Sequence, residues 1–196
     1  MNIFVLDLEP KIAAFYHCDK HVGTMIKESA QLMSAAHRKN TNALDKIYKA
    51  GWLNHPCTKW VETSEENYEW LYELYTYLGE QFYQRFGKHH ASYSMLKDVL
   101  AEVPPDIPCV GLTAFAQAMP ERYRDEKDAV KAYRDYYLDL KLIFSSWTSP
   151  SKVPEWVIEG LKRKQTENQS ILVTDKDVYR DYFVKQQKVN LRGAEQ

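Results

Sequence analysis

The residues of this chain best suited to chemistry are His17, His21, Glu28 and Gln31, which recur along one stretch near the N-terminus. On a helix, with His17 taken as zero, His21, Thr24, Glu28 and Gln31 all fall within about 40° of it. Ala14, Cys18, Val22, Met25, Ser29, Leu32 and Ala36 form a separate small and apolar arc about 100° away, which marks a core face. A file of two histidines, a carboxylate and an amide beside such an arc reads as the lining of a cleft.

Three chemistries suit the file. His17 and His21, four residues apart, can grip one metal ion from a single helix face, with Glu28, His55 or Cys57 completing the site. Glu28 beside a histidine can act as a general acid or base, its protonation set by burial and by the neighbouring ring. An amine can attack a sugar carbon: Lys20, about 60° from the centre of the file, or the chain's own α-amine. The bland alternative is that both histidines are helix-border groups bonded to neighbouring helices.

Other candidates lie on connectors. Asn54-His55-Pro56-Cys57 places hydrogen-bonding groups just before a helix start, and serves equally as a Pro-punctuated connector with a buried thiol. Lys88-His89-His90 follows Gly87 at a helix end, where basic groups suit the helix dipole and could also meet a phosphate. In GLTAFAQAMP (111–120), backbone N–H groups of a short helix could hold a phosphate and Gln117 could read a base edge. Tight packing of its small residues is the competing reading. The tyrosines at 68, 72 and 75 have core or rim spacing.

The elements that must position these groups are helical. Residues 2–6 read as a short strand or an extended lead-in, and Asp7 with Pro10 opens a long helix from about Glu9 to His37. Thr63 and Glu66 form a capping box for a second long helix ending near Phe86 at Gly87. A shorter helix spans about Ser92 to Glu102, a proline-rich loop follows, and Thr113 begins a short helical piece up to Met119. Asp125 and Asp128 open a long helix reaching Trp147, and Pro154 starts another to about Gln165. The expected architecture is all-α: one compact multi-helix domain over residues 1–165. Residues 166–196 form a linker, an appended helix and a tail. From Lys162 onward eight Lys/Arg stand against five Asp/Glu, which suits a solvated helix or one docking on the body or a polyanion.

Composition narrows the classes. With 196 residues and 44% hydrophobic side chains the chain can bury a sizeable core. A net charge of −1 excludes the overall basic surface of a strong non-specific DNA binder, while leaving local patches open. Three cysteines with no CxxC pair suit a reduced compartment. The opening MNIFVLDLEP lacks a basic start, and no apolar run approaches the roughly 18 residues of a membrane span, so a cytoplasmic protein is expected. No phosphate-binding P-loop, GxGxxG, GxSxG or zinc-ribbon pattern is present, and no cofactor is expected.

The segments NIFVLD, YHCDKHV, NHP, RFGKHH and GLTAFAQAMP together resemble a family of small phage-encoded proteins over residues 1–155, which would place the chain in the host cytoplasm. A second resemblance is to the phage pyrimidine-dimer DNA glycosylases of the endonuclease V type. Those are small all-α enzymes with a short lead-in and then a helix bearing a histidine and a glutamate at the spacing of His21 and Glu28. The region from Tyr68 to Gly87 is similar to their later aromatic and acidic helix. The resemblance implies a DNA-acting enzyme with Glu28 at the sugar and His21 near phosphate or base. That family uses an amine freed by methionine removal; Met1-Asn2 disfavours removal, leaving the α-amine of Met1 or Lys20 to stand in.

The expectation that follows is a base glycosylase or base-modifying transferase acting on DNA or a nucleotide. Catalysis would fall to Glu28, His21, His17 and Lys20, and substrate binding to Gln31, Thr24, Asn54, His55, Lys88, His89 and Gln117. A metal-dependent nucleotide or phosphodiester hydrolase is the second expectation. A non-enzymatic phage protein that binds a host factor through its aromatic helices is the third.

Overall fold

The computed structural model describes residues 1–40, 46–49 and 51–167, so the expected appended helix lies outside the described residues. The architecture is all-α, and among the described residues there is no strand. The α-helices are α1 (Pro10–Tyr16), α2 (Asp19–Asn40), α3 (Pro56–Val61), α4 (Glu65–Phe86), α5 (Ala91–Leu96), α6 (Ala129–Leu140) and α7 (Glu155–Thr166). Short 3-10 turns add Val99–Ala101, Glu121–Tyr123 and Leu142–Phe144.

The long helix expected over 9–37 is two helices. His17 takes an extended backbone, φ −61° and ψ 135°, and caps α1. The break is held by residues far away in sequence. Arg85 on α4, 6% exposed, donates to the carbonyls of His17 (2.7 Å) and Phe15 (3.0 Å) and to the Asp19 carboxylate (3.2 Å). The Asp19 amide donates to the Ser146 carbonyl at 2.8 Å, and its carboxylate accepts from Ser146 and Thr148. These bonds satisfy the carbonyls and amides that a continuous helix would have paired internally.

Residues 2–6 are a lead-in and not a strand, turned at Phe4 (φ +37°), with Ile3, Val5 and Leu6 fully buried. Asp7 does not cap α1; its carboxylate accepts from the Glu9 amide at 3.1 Å and pairs with Arg134, also at 3.1 Å. Helix α4 ends as its sequence says, at Gly87 with φ +66°, a conformation that suits a residue without Cβ. At its start Ser64, not Thr63, is the cap residue. Glu66 turns from the expected capping box to hold the Ser64 hydroxyl, the Gly111 amide (3.0 Å) and the Cys109 thiol (3.1 Å). Those donors hold the Glu66 carboxyl down to about 2.

Residues 111–119 are not helical. They form an extended strap, fixed at one end by Asn67, whose side chain exchanges bonds with the Thr113 amide (2.9 Å) and hydroxyl (2.7 Å). Helix α6 is capped by Asp128, accepting from the Lys131 amide at 2.8 Å, but stops at Leu140. The chain beyond turns through Leu142–Phe144 before Ser146 and Thr148 reach Asp19.

Packing is centred on α4, which contacts α1, α2, α3 and α5. Its buried Tyr68, Leu71, Leu74, Tyr75 and Leu78 meet the apolar face of α2 and the lead-in in one core. Helices α6 and α7 pack on each other at the side.

Candidate functional site

The lead-in, threaded between α2 and the strap, brings the chain's first residues to Glu28. Oε2 of Glu28 accepts from the Asn2 amide at 2.8 Å and lies 3.8 Å from the Met1 amine. The Glu28 side chain is 24% exposed, while that of Met1 is 4% exposed. The carboxylate is thus open on one side and held on the other.

Asn2 organises this corner. Its side-chain oxygen accepts from the Ile3 amide (2.8 Å) and the Tyr133 hydroxyl (2.8 Å), and its side-chain NH2 donates to the Ala118 carbonyl (2.9 Å). Tyr133, fully buried on α6, also lies 2.6 Å from the Ala116 carbonyl, so α6, the strap and the lead-in meet at one amide. Burial holds its phenol well above the usual range, so it stays a neutral donor.

His55 caps α3, its Nδ1 accepting from the Cys57 amide at 3.2 Å. Its pKa is lowered by partial burial and by the positive field of the Met1 amine. Cys57 is buried, and burial pushes its thiol up to about 12, so it is an inert core group there. Trp52, 66% exposed, adopts a left-handed backbone (φ +59°) and stands edge-on to His55 with centroids 6.4 Å apart. Asn54 is exposed beside it.

The expected file resolves into separate places. His17 is off the face altogether: fully buried, it donates from Nδ1 to the Ala13 carbonyl at 2.7 Å, and burial lowers its pKa to about 4. His21 stacks on Phe4 (4.5 Å), its Nδ1 2.8 Å from the Tyr137 hydroxyl, and burial lowers its pKa to about 3. Both imidazoles are neutral core groups at neutral pH. Lys20 stands about 12 Å along the α2 axis from Glu28, with Nζ 4.4 Å above the Phe144 ring, so it is no stand-in for an amine beside that carboxylate. Thr24 is exposed and bonds back to the Lys20 carbonyl at 2.9 Å. Gln31, half-buried, is one turn beyond Glu28 and is the member of the file nearest it along the chain.

Three connector candidates lie elsewhere. The Gln117 amide is spent on both backbone groups of Asp125, at 2.5 and 2.9 Å, and is a clamp on the strap rather than a reader of bases. Lys88 and His89 are exposed past the end of α4. His89 stacks on Tyr83 (4.6 Å) over a 310 Å³ hollow that shares no lining residue with the Glu28 corner. A larger groove of 850 Å³ runs between α6, α7 and the strap, past Arg134 and Trp156, and Glu28 does not line it.

The metal-ion reading finds no support in this arrangement. Among the described residues no three His, Cys, Asp or Glu side chains are grouped to share an ion. Also among the described residues, no helix is long and apolar enough to cross a membrane. No family model matches the chain, and no curated protein or solved structure is detectably similar to it.

Proposed function

We propose that the Glu28 corner acts at the sugar–base linkage of a nucleotide in DNA, as a base glycosylase or a base-modifying transferase. The observation that carries the reading is the contact of a half-open carboxylate with an amine at 3.8 Å, on a scaffold fixed by Asn2. A carboxylate so placed can stabilise positive charge developing on a sugar as its bond to the base breaks. A free α-amine at Met1, 3.8 Å from Glu28, would take the sugar carbon as nucleophile as the base leaves, with Glu28 taking up and returning the proton. A base inside a duplex would have to be flipped out to reach this corner.

Glu28→Gln keeps the shape and loses the charge. The expected outcome is loss of base release by at least a hundredfold with DNA binding unchanged. Borohydride should trap a covalent protein–DNA adduct on the N-terminal peptide of the wild type if the amine attacks. Full activity of Glu28→Gln would remove this carboxylate from the mechanism.

A further inference from the structure

Two turns back along α2 from Glu28, two ammonium groups are held in place without a carboxylate. Lys20 Nζ sits 4.4 Å from the centre of Phe144. Lys141, the residue capping α6, holds Nζ 4.7 Å from the centre of Tyr136 and 5.9 Å from that of Phe4. Phe144 and Phe4 both pack on the His21 ring, at 5.3 and 4.5 Å. One imidazole is therefore flanked by two aromatic rings that each carry a lysine.

The nearby carboxylates are committed to other partners. Asp19 is taken by Arg85, Ser146 and Thr148, Asp139 by Lys164, and Asp135 by Lys131 and Arg163. Among the described residues neither Lys20 nor Lys141 forms an ion pair. The aromatic faces replace the missing anions, and they restrict both flexible side chains before any ligand arrives. The His21 ring is itself held, its Nδ1 2.8 Å from the Tyr137 hydroxyl, whose oxygen accepts from the Cys18 amide at 3.0 Å. Two fixed cations match a phosphodiester oxygen pair.

We infer that Lys20 and Lys141 form a clamp for a backbone phosphate of the nucleic acid whose nucleotide is served at Glu28. The inference rests on the function proposed above. The roughly 12 Å between Lys20 and Glu28 along α2 corresponds to three or four steps of duplex at about 3.4 Å each. The clamp thus grips the strand a few nucleotides from the reacting one, and fixes register rather than sequence.

Fluorescence anisotropy of a labelled 25-base-pair duplex, titrated from low to high KCl, tests this with wild type, Lys20→Ala, Lys141→Ala and the double variant. Each removed lysine should flatten the slope of log K against log salt by about 0.9, and both together by about 1.8. Lys20→Arg and Lys141→Arg should restore it, and Lys97→Ala, an exposed lysine paired with Asp98, should leave it unchanged. A double variant with the wild-type slope and affinity overturns the clamp and leaves the reading of Glu28 standing. The expected flattening, with no chemistry on any duplex or single strand, supports the clamp and sinks the catalytic reading. A wild type that binds no DNA at any salt overturns both.

Discussion

Phe4 holds a backbone conformation, φ +37°, that a bulky side chain adopts only when its surroundings force it. The force here is packing: the twist lays its ring on His21 while Asn2, two residues earlier, stays bound to Glu28 and Tyr133. His21 and His17 are both sealed in as neutral rings, which makes the protein acid-sensitive. Below pH 6.5 an unfolded chain takes up protons on both imidazoles, whereas the folded chain resists until about pH 4 at His17 and about pH 3 at His21. Stability from these groups is complete above pH 6.5 and falls as pH drops through that window, by on the order of 3 kcal/mol for His17 alone. Urea midpoints measured from pH 7 to pH 4 should fall steeply in the wild type and less steeply in His21→Gln. Parallel profiles for the two would contradict the assignment of His21 as a buried neutral ring.

The break between α1 and α2 is the element that most changes the picture drawn from sequence. Arg85 fills it, so Arg85→Ala should remove a donor from the buried His17 carbonyl, from the part-buried Phe15 carbonyl and from Asp19 together. A loss of about 3 kcal/mol is expected in chemical denaturation. A loss below about 1 kcal/mol would mean that the break is held by the 146–148 segment instead. Signals within a turn of the boundary were legible: Gly87 ends α4, Asp128 caps α6 and Pro154 precedes α7. The break at His17 was not, because its bonds come from Arg85 and Ser146, 68 and 127 positions away. The same holds for the strap, which reads as a helix locally but spends its backbone on Asn67 and Glu66. Of the site, Glu28 was legible from its border position, while the helical wheel grouped it with His17 only by assuming one unbroken helix. Asn2 and Tyr133 were missed; the available signal was a lone polar residue just ahead of the apolar run IFVL.

Across the whole molecule, the strap is one of the links between the helical core around α4 and the α6–α7 side, beside the direct bonds of Tyr137, Arg134 and Ser146. Asn67, buried in the core, ties one end, and Asn2 and Tyr133 tie the other at Ala118 and Ala116. Asn67→Ala should cost about 2 to 3 kcal/mol, since it leaves the Thr113 amide without its partner and removes one of the donors to the Trp60 carbonyl. Hydrogen exchange should show faster opening of 111–119 than of α4 in that variant. Equal protection of both segments would show that the strap does not depend on this tie.

The tie at Asn2 also sets an order of events during synthesis. Its partners on the strap and α6 stand 116 and 131 residues downstream. At typical elongation rates of about 5–20 residues per second, the lead-in therefore waits on the order of ten seconds before its last contacts exist. Helices α1 to α5 can collapse in that interval, but the corner around Glu28 cannot close. Nascent chains arrested before Tyr133 should carry an ordered helical core with an open groove where the first six residues belong.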